Sequence, residues 1–249
     1  MIEDMQVRNF PPHTQNSYVQ QASLFARHFS KSPEVLGPEE IRSYQVYLRT
    51  PNLIKGLAPG GDIHELFVSV GGPWSHADLT QLAGAPPENN AFPVIAGFEW
   101  EAGGTKQVVY RPADGHIHEL FVSVGGSWDH ADLTQMTGAP LPDFASAYAC
   151  FAWKAGGSKQ VVYLTADGHI HELFVSVGGS WSHADLTQIT GAPLPQPDTA
   201  FTGYEWEAGG TKQVVFLTAN GHIHELFVSV EGSWSHADLT QMTGAPPVA

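Results

Sequence analysis

The chain has 249 residues and a formal net charge of −14, with 42% hydrophobic and 14% charged side chains, a balance that excludes a disordered tail and a charge-covered helical bundle. The charge is unevenly placed: residues 1–55 hold six basic and five acidic side chains, residues 56–249 five and 20. The C-terminal part therefore repels phosphate backbones and is excluded as a nucleic-acid surface, whereas the N-terminal part is not.

In chain order, residues 1–61 read as helical. Tyr18, Ala22, Phe25, Ala26 and Phe29 share one face of a helix over Thr14–Phe29, with Thr14 as N-cap after Pro11-Pro12. Ser32–Leu36 is a connector, and Gly37-Pro38-Glu39-Glu40 opens a second helix reaching Leu48, with Ile41, Tyr44 and Leu48 on its apolar side. Two such helices hold too little apolar surface for an independent core. No apolar leader segment occupies Met1–Gln21, and no apolar run approaches the ~20 residues of a membrane helix. A soluble, cytoplasmic protein without membrane contact is expected. Cys150 is the single cysteine, so no disulfide forms within the chain.

From residue 62 onward the chain repeats itself. His-Glu-Leu-Phe-Val-Ser-Val starts at His64, His118, His171 and His224, and Gly168–Pro193 differs from Gly115–Pro140 at two of 26 positions. The first copy (62–87) is a half repeat; full repeats span 91–140, 144–193 and 198–246. Each full repeat predicts four short strands, in the first one Ile95–Glu101, Lys106–Arg111, His116–Val124 and Ser127–Thr134. Gly103-Gly104, Asp114-Gly115 and Gly125-Gly126 supply the turns between them. Val, Phe, Tyr and Trp fill these strands, as half-buried pleated surfaces prefer. Four antiparallel strands in about 53 residues, repeated in tandem, give a mostly β fold of β-propeller-type blades behind a short helical segment. A β-trefoil or sandwich is the alternative, but the half repeat fits those badly. Because propellers close with four or more blades, about three and a half repeats imply self-association to complete the ring.

The repeats carry three sets of chemically capable side chains. His116, His118 and His130 give three imidazoles per repeat, the ligand number of a catalytic zinc site. However, Asp62 replaces the leading His in the half repeat, and no carboxylate or cysteine in the string completes a known signature. These His are expected at blade seams as hydrogen-bonding groups, with no metal. Ser182-His183-Ala184-Asp185 names a catalytic triad without its geometry, since Ser182 and His183 point to opposite faces of a strand. The Asp of each Asp-Leu-Thr (Asp78, Asp132, Asp185, Asp238) instead braces a turn through backbone N–H groups. The third set is aromatic: Trp100, Trp153 and Trp206 on first strands, and Trp74, Trp128, Trp181 and Trp234 opening fourth strands. Aromatic platforms beside acidic and imidazole groups suit sugars, whose apolar C–H faces are flanked by hydroxyls. The expected carbohydrate-binding set is Trp100, His118, Glu119, Trp128 and His130; Trp153, His171, Glu172, Trp181 and His183; and Trp206, His224, Glu225, Trp234 and His236. Repetition of shallow sites would add avidity.

The strings His-Ile-His-Glu-Leu, Trp-Ser-His-Ala-Asp-Leu-Thr and Gln-Val-Val-Tyr make residues 61–249 resemble bacterial propeller lectins of the fucose-binding and tectonin-like kinds. That resemblance implies a propeller with carbohydrate sites between adjacent blades. The string MIEDMQVRNFPPHTQNSYVQQASLFARHF…LGPEEIRSYQVYL resembles the SAM-like, core-binding N-terminal domain of tyrosine recombinases, truncated. It implies that Arg8, His13, Thr14, Ser17 and Tyr18 lie near a DNA backbone, a role for which their types are suited. Beyond Arg49 the only arginine is Arg111, so the family's catalytic Arg, His-x-x-Arg and Tyr set cannot be assembled. The expected function is non-enzymatic carbohydrate binding, without cofactor, with glycans or another small polar ligand as partner and DNA contacted only through the N-terminal segment. A recombinase-derived DNA-binding protein and a His-rich metalloenzyme are the alternatives.

Overall fold

A computed structural model describes residues 61–68, 73–88, 94–197 and 201–248. The chain divides into two units, Met1–Pro59 and Gly60–Ala249, and the described residues all belong to the second. The two predicted helices, and with them Arg8, His13, Thr14, Ser17 and Tyr18, lie outside the described residues.

Among the described residues, one two-stranded and three four-stranded antiparallel sheets follow one another along the chain. The half repeat gives β1 (His64–Val68) and β2 (Trp74–Asp78). The first blade holds β3 (Ile95–Trp100), β4 (Thr105–Tyr110), β5 (His118–Ser123) and β6 (Asp129–Asp132). In the second are β7 (Ala149–Trp153), β8 (Ser158–Leu164), β9 (Ile170–Ser176) and β10 (Ser182–Asp185). The third has β11 (Thr202–Trp206), β12 (Thr211–Leu217), β13 (Ile223–Ser229) and β14 (Ser235–Asp238). Each sheet is a meander in chain order, the four-stranded blade that the repeat predicts.

The fourth strand departs from expectation. It was expected to run to Thr134, but β6 stops at Asp132 and one helical turn follows. The same turn recurs as α1 (Leu79–Ala83), α2 (Leu133–Thr137), α3 (Leu186–Thr190) and α4 (Leu239–Thr243). Its N-cap is the Asp of Asp-Leu-Thr: Asp78, Asp132, Asp185 and Asp238 accept the N–H of Gln81, Gln135, Gln188 and Gln241 at 2.8–2.9 Å. A glycine with φ between 62° and 67° closes each turn, a left-handed conformation that favours Gly. The braced turn expected from the sequence is thus present, as a helix cap.

The apolar core lies between blades. Val109, Ile117 and Leu133 of the first blade pack with Val161, Tyr163 and Leu173 of the second. Val162, Ile170 and Leu186 of the second pack with Val214, Phe216 and Leu226 of the third. The second strands of the first two blades also reach back: the Tyr110 hydroxyl donates to Pro86 O and that of Tyr163 to Pro140 O, both at 2.8 Å. First strands stack on one another, β3 on β7 and β7 on β11. Gly203 permits the second contact, because a Cβ there would fall 2.7 Å from the Phe151 ring.

Candidate functional site

Strand alternation decides what each repeat offers its neighbours. His118 and Glu119 are consecutive on β5, so they face opposite ways. Glu119 and Phe121 point toward the following blade; His118 and Leu120 point toward the preceding one. The residues expected to form one site per repeat are therefore divided between two.

The first site straddles each seam. Lys159, on β8, donates from Nζ to Glu119 Oε1 at 2.7 Å, and both side chains are buried. Four groups enclose the ammonium: Glu119, Trp100 and Phe121 from one blade, with Trp181 from its own; ring centroids lie 5.0, 5.8 and 5.1 Å from Nζ. The next seam repeats this with Lys212, Glu172, Trp153, Phe174 and Trp234. Burial pushes Glu119 and Glu172 above the ordinary glutamate range against the pull of the facing ammonium, and pushes Lys159 below its own. Position is fixed by the turn after each first strand: a Cβ on Gly103, Gly156 or Gly209 would lie 2.2–2.4 Å from the Trp100, Trp153 or Trp206 ring. Only glycine there lets the indole lie against its own turn.

The first and last described repeats differ from these two seams. Between the half repeat and the first blade, Lys106 pairs with Glu65 and lies 5.2 Å from the Trp128 centroid. Strand positions that supply Trp100 and Trp153 elsewhere have no counterpart in the half repeat, and this seam opens as a groove of about 650 Å³. Phe98, Glu99, Glu101, Lys106 and Trp128 line it together with Glu65. At the other end Trp206 is 55% exposed, and no lysine pairs with Glu225 among the described residues. Trp74, on the half repeat, is 73% exposed, in contrast to the half-buried Trp128, Trp181 and Trp234.

The second site collects the histidines. His118, His171 and His224 are buried, with pKa values held down by that burial. Each faces the Oδ2 of a capping aspartate at 3.5–3.7 Å: Asp132, Asp185 and Asp238. The leading His of each repeat reaches the same oxygen through Nδ1, His116 at 2.8, His169 at 2.7 and His222 at 2.6 Å. The carboxylate missing from the linear string is thus supplied by the fold. The third His has a different place: His130 and His236 lie with Nδ1 3.1 and 3.2 Å from Ala83 O and Thr190 O of the preceding repeat, a seam contact as expected. His183 is exposed. Ser182, His183 and Asp185 are not brought together as a triad, since Asp185 is engaged by His169 and the α3 cap.

Sequence inspection missed the three lysines at the centre of the seams. Their signal was present: Lys106, Lys159 and Lys212 occupy one repeat position, Lys-Gln-Val-Val, in a region holding only five basic residues.

Comparisons with known proteins divide at the same place as the chain. Residues 1–56 match the family described as phage integrase, N-terminal SAM-like domain. A 59-residue stretch is 63% identical to the putative integrase/recombinase y4qK of Sinorhizobium fredii, covering 24% of this chain and 18% of that protein. The fold of the repeats is that of solved lectins. AofleA from Arthrobotrys oligospora superposes with a TM-score of 0.53 at 16% identity, over 72% of this chain and 50% of that one. BP39L lectin from Burkholderia pseudomallei gives 0.51 at 16%, over 70% and 46%. Aleuria aurantia lectin, in a complex with alpha-methyl-L-fucoside, gives 0.50 at 17%, over 72% and 55%. The chain therefore spans about half the length of these lectins and under a fifth of the integrase. No helix among the described residues is long and apolar enough to cross a membrane.

Proposed function

We propose that the repeat region is a non-enzymatic carbohydrate-binding β-propeller whose sites lie at the blade seams. The observation that carries this reading is the open seam at Glu65, Lys106 and Trp128, a groove of about 650 Å³ in which an ammonium donor, a carboxylate acceptor and an indole face converge on one ligand-sized space. That combination meets the needs of a sugar, with hydroxyls bridged by the charged pair and a C–H face laid on the indole. The fold shared with lectins, one of them solved with a fucoside, supports the same reading. A glycan array probed with the full chain tests it: retention of a defined glycan class, lost in Lys106→Gln and Trp128→Ala, is expected. Failure to retain any glycan would overturn the proposal.

Self-association that completes the ring belongs to the same proposal, supported by a Glu225 that no lysine pairs with among the described residues. Sedimentation of the purified chain as a closed oligomer is expected, and a concentration-independent monomer would remove this part.

A second function has its own support. The integrase-type match over residues 1–56 favours contact of Arg8, His13, Thr14, Ser17 and Tyr18 with a DNA backbone. A gel shift that weakens with salt and with Arg8→Gln is expected; no shift at low salt would overturn it.

A further inference from the structure

Each complete blade gathers three ligand-capable side chains at its capping aspartate, two imidazoles and one carboxylate in the second and third blades and one imidazole with two carboxylates in the first. In the second blade these are His169, His171 and Asp185; in the third, His222, His224 and Asp238; in the first, His118 and Asp132 with Asp114. Within each group the ligand-capable atoms lie within 4.8 Å of one another. These residues lie apart from the lysine seams, on the other face of the third strand.

Internal hydrogen bonding does not account for the grouping. In the second and third blades one imidazole, His169 or His222, satisfies the aspartate Oδ2 through Nδ1. The second adds nothing to that bond: His171 Nε2 is 3.7 Å and His224 Nε2 3.6 Å from the same oxygen, too long for a hydrogen bond. Their Nδ1 atoms are buried without a partner. His118 is the clearest case. Only 4% exposed, it leaves Nδ1 without a partner, while Nε2 is shared between Asp114 Oδ2 at 3.3 Å and Asp132 Oδ2 at 3.5 Å. A buried imidazole whose Nε2 faces a carboxylate at 3.3–3.7 Å is poorly satisfied unless something sits between them.

We infer that each complete blade binds a divalent transition-metal ion, of the zinc class, at its capping aspartate, between two imidazoles in the second and third blades and between His118 and Asp114 in the first. Imidazole and carboxylate are the donors such ions select. Ligand bonds of about 2.0–2.2 Å place neighbouring donor atoms roughly 3.3 Å apart in a tetrahedral shell. The observed separations of 2.7 and 3.7 Å at Asp185 bracket that value, so small side-chain shifts suffice. The carboxylate is also pre-aimed: its Oδ1 is fixed by the Gln188 N–H at 2.8 Å, leaving Oδ2 for the ion. Nearby strand ends are held in the same way, by the Thr187 hydroxyl accepting the Ile170 N–H at 2.9 Å. Three protein donors leave a coordination position toward the 31% exposed side of His169. In the half repeat Asp62 stands in place of the leading His, and no such group forms there.

The test uses the full chain, stripped with EDTA, dialysed, and titrated with zinc chloride and separately with cobalt chloride. Calorimetry should give about three equivalents of zinc per chain, magnesium should not compete, and cobalt should develop visible d–d absorption. Asn caps a helix as well as Asp does, so Asp132→Asn/Asp185→Asn/Asp238→Asn should keep the fold by circular dichroism yet weaken zinc binding by more than roughly tenfold and abolish the cobalt bands. If that variant fails to fold, Asp114→Asn/His169→Gln/His222→Gln, at the more exposed ligand of each group, replaces it with the same expectation. His183→Gln, outside every group, should bind as the parent does. Absence of zinc binding at micromolar concentrations would overturn the inference. Binding untouched by either folded variant would overturn it equally, as would loss in His183→Gln.

Discussion

Lys159 Nζ lies 2.7 Å from Glu119 Oε1 across a seam between two blades, with both side chains buried and two indoles flanking the ammonium. The attraction of such a pair roughly offsets the desolvation of its members, but removing one member leaves a buried, unpaired charge. Glu119→Ala is therefore expected to lower stability by about 3–5 kcal/mol, while Glu119→Leu/Lys159→Met returns to within about 1 kcal/mol of the parent. Urea unfolding followed by Trp fluorescence would check this, since Trp100 and Trp181 report on the seam directly.

Glu231 offers a second measurement with an internal control. It has φ 63°, whereas the equivalent turn positions in the first two blades are Gly125 and Gly178, both at φ 73°. A left-handed conformation costs a side-chain-bearing residue about 1–2 kcal/mol, and glycine gives part of that back as chain entropy. Glu231→Gly is expected to stabilise the third blade by about 0.5–1 kcal/mol. Hydrogen exchange of β13 and β14 amides would localise the gain.

Acid titration addresses the helix caps. Burial pushes the Asp78 carboxyl up, but the Gln81 N–H, the Thr80 hydroxyl and nearby His64 outweigh it and hold the pKa below the ordinary aspartate value. A depressed carboxylate stabilises the fold above its unfolded pKa of about 3.9, and that contribution fades as pH falls through the lower folded value. Carbon-13 NMR of the Asp78 carboxyl is expected to show a midpoint below 3.9; a midpoint at or above it would contradict the cap.

Much of the fold was legible in the sequence because its strands carry the signals that short-range physics can read: Asp-Gly and Gly-Gly turns, and period-two runs such as Lys-Gln-Val-Val-Tyr. The end of the fourth strand was not, since Leu133-Thr134-Gln135 has no strong preference and its helix depends on a cap by Asp132 and a left-handed Gly138. The candidate sites were only half legible. Trp100, Glu119 and Trp181 were identified by residue type, but their meeting point is Lys159, about 40 residues along the chain, and seams join different repeats. Likewise His169 and His171 were visible as a pair, whereas Asp185 reaches them only through the β9–β10 pairing that sets it opposite His171.

The central claim, that the lysine–glutamate–tryptophan seams bind carbohydrate, is most directly tested at the open seam. Trp fluorescence of the full chain would be titrated with alpha-methyl-L-fucoside and with the strongest glycan from the array, in the parent chain and in Lys106→Gln and Trp128→Ala. A saturable change is expected in the parent and a dissociation constant raised roughly tenfold or more in each variant, about 1.4 kcal/mol, with circular dichroism unchanged. Glycan binding of equal strength in all three proteins, or none in the parent, would contradict it.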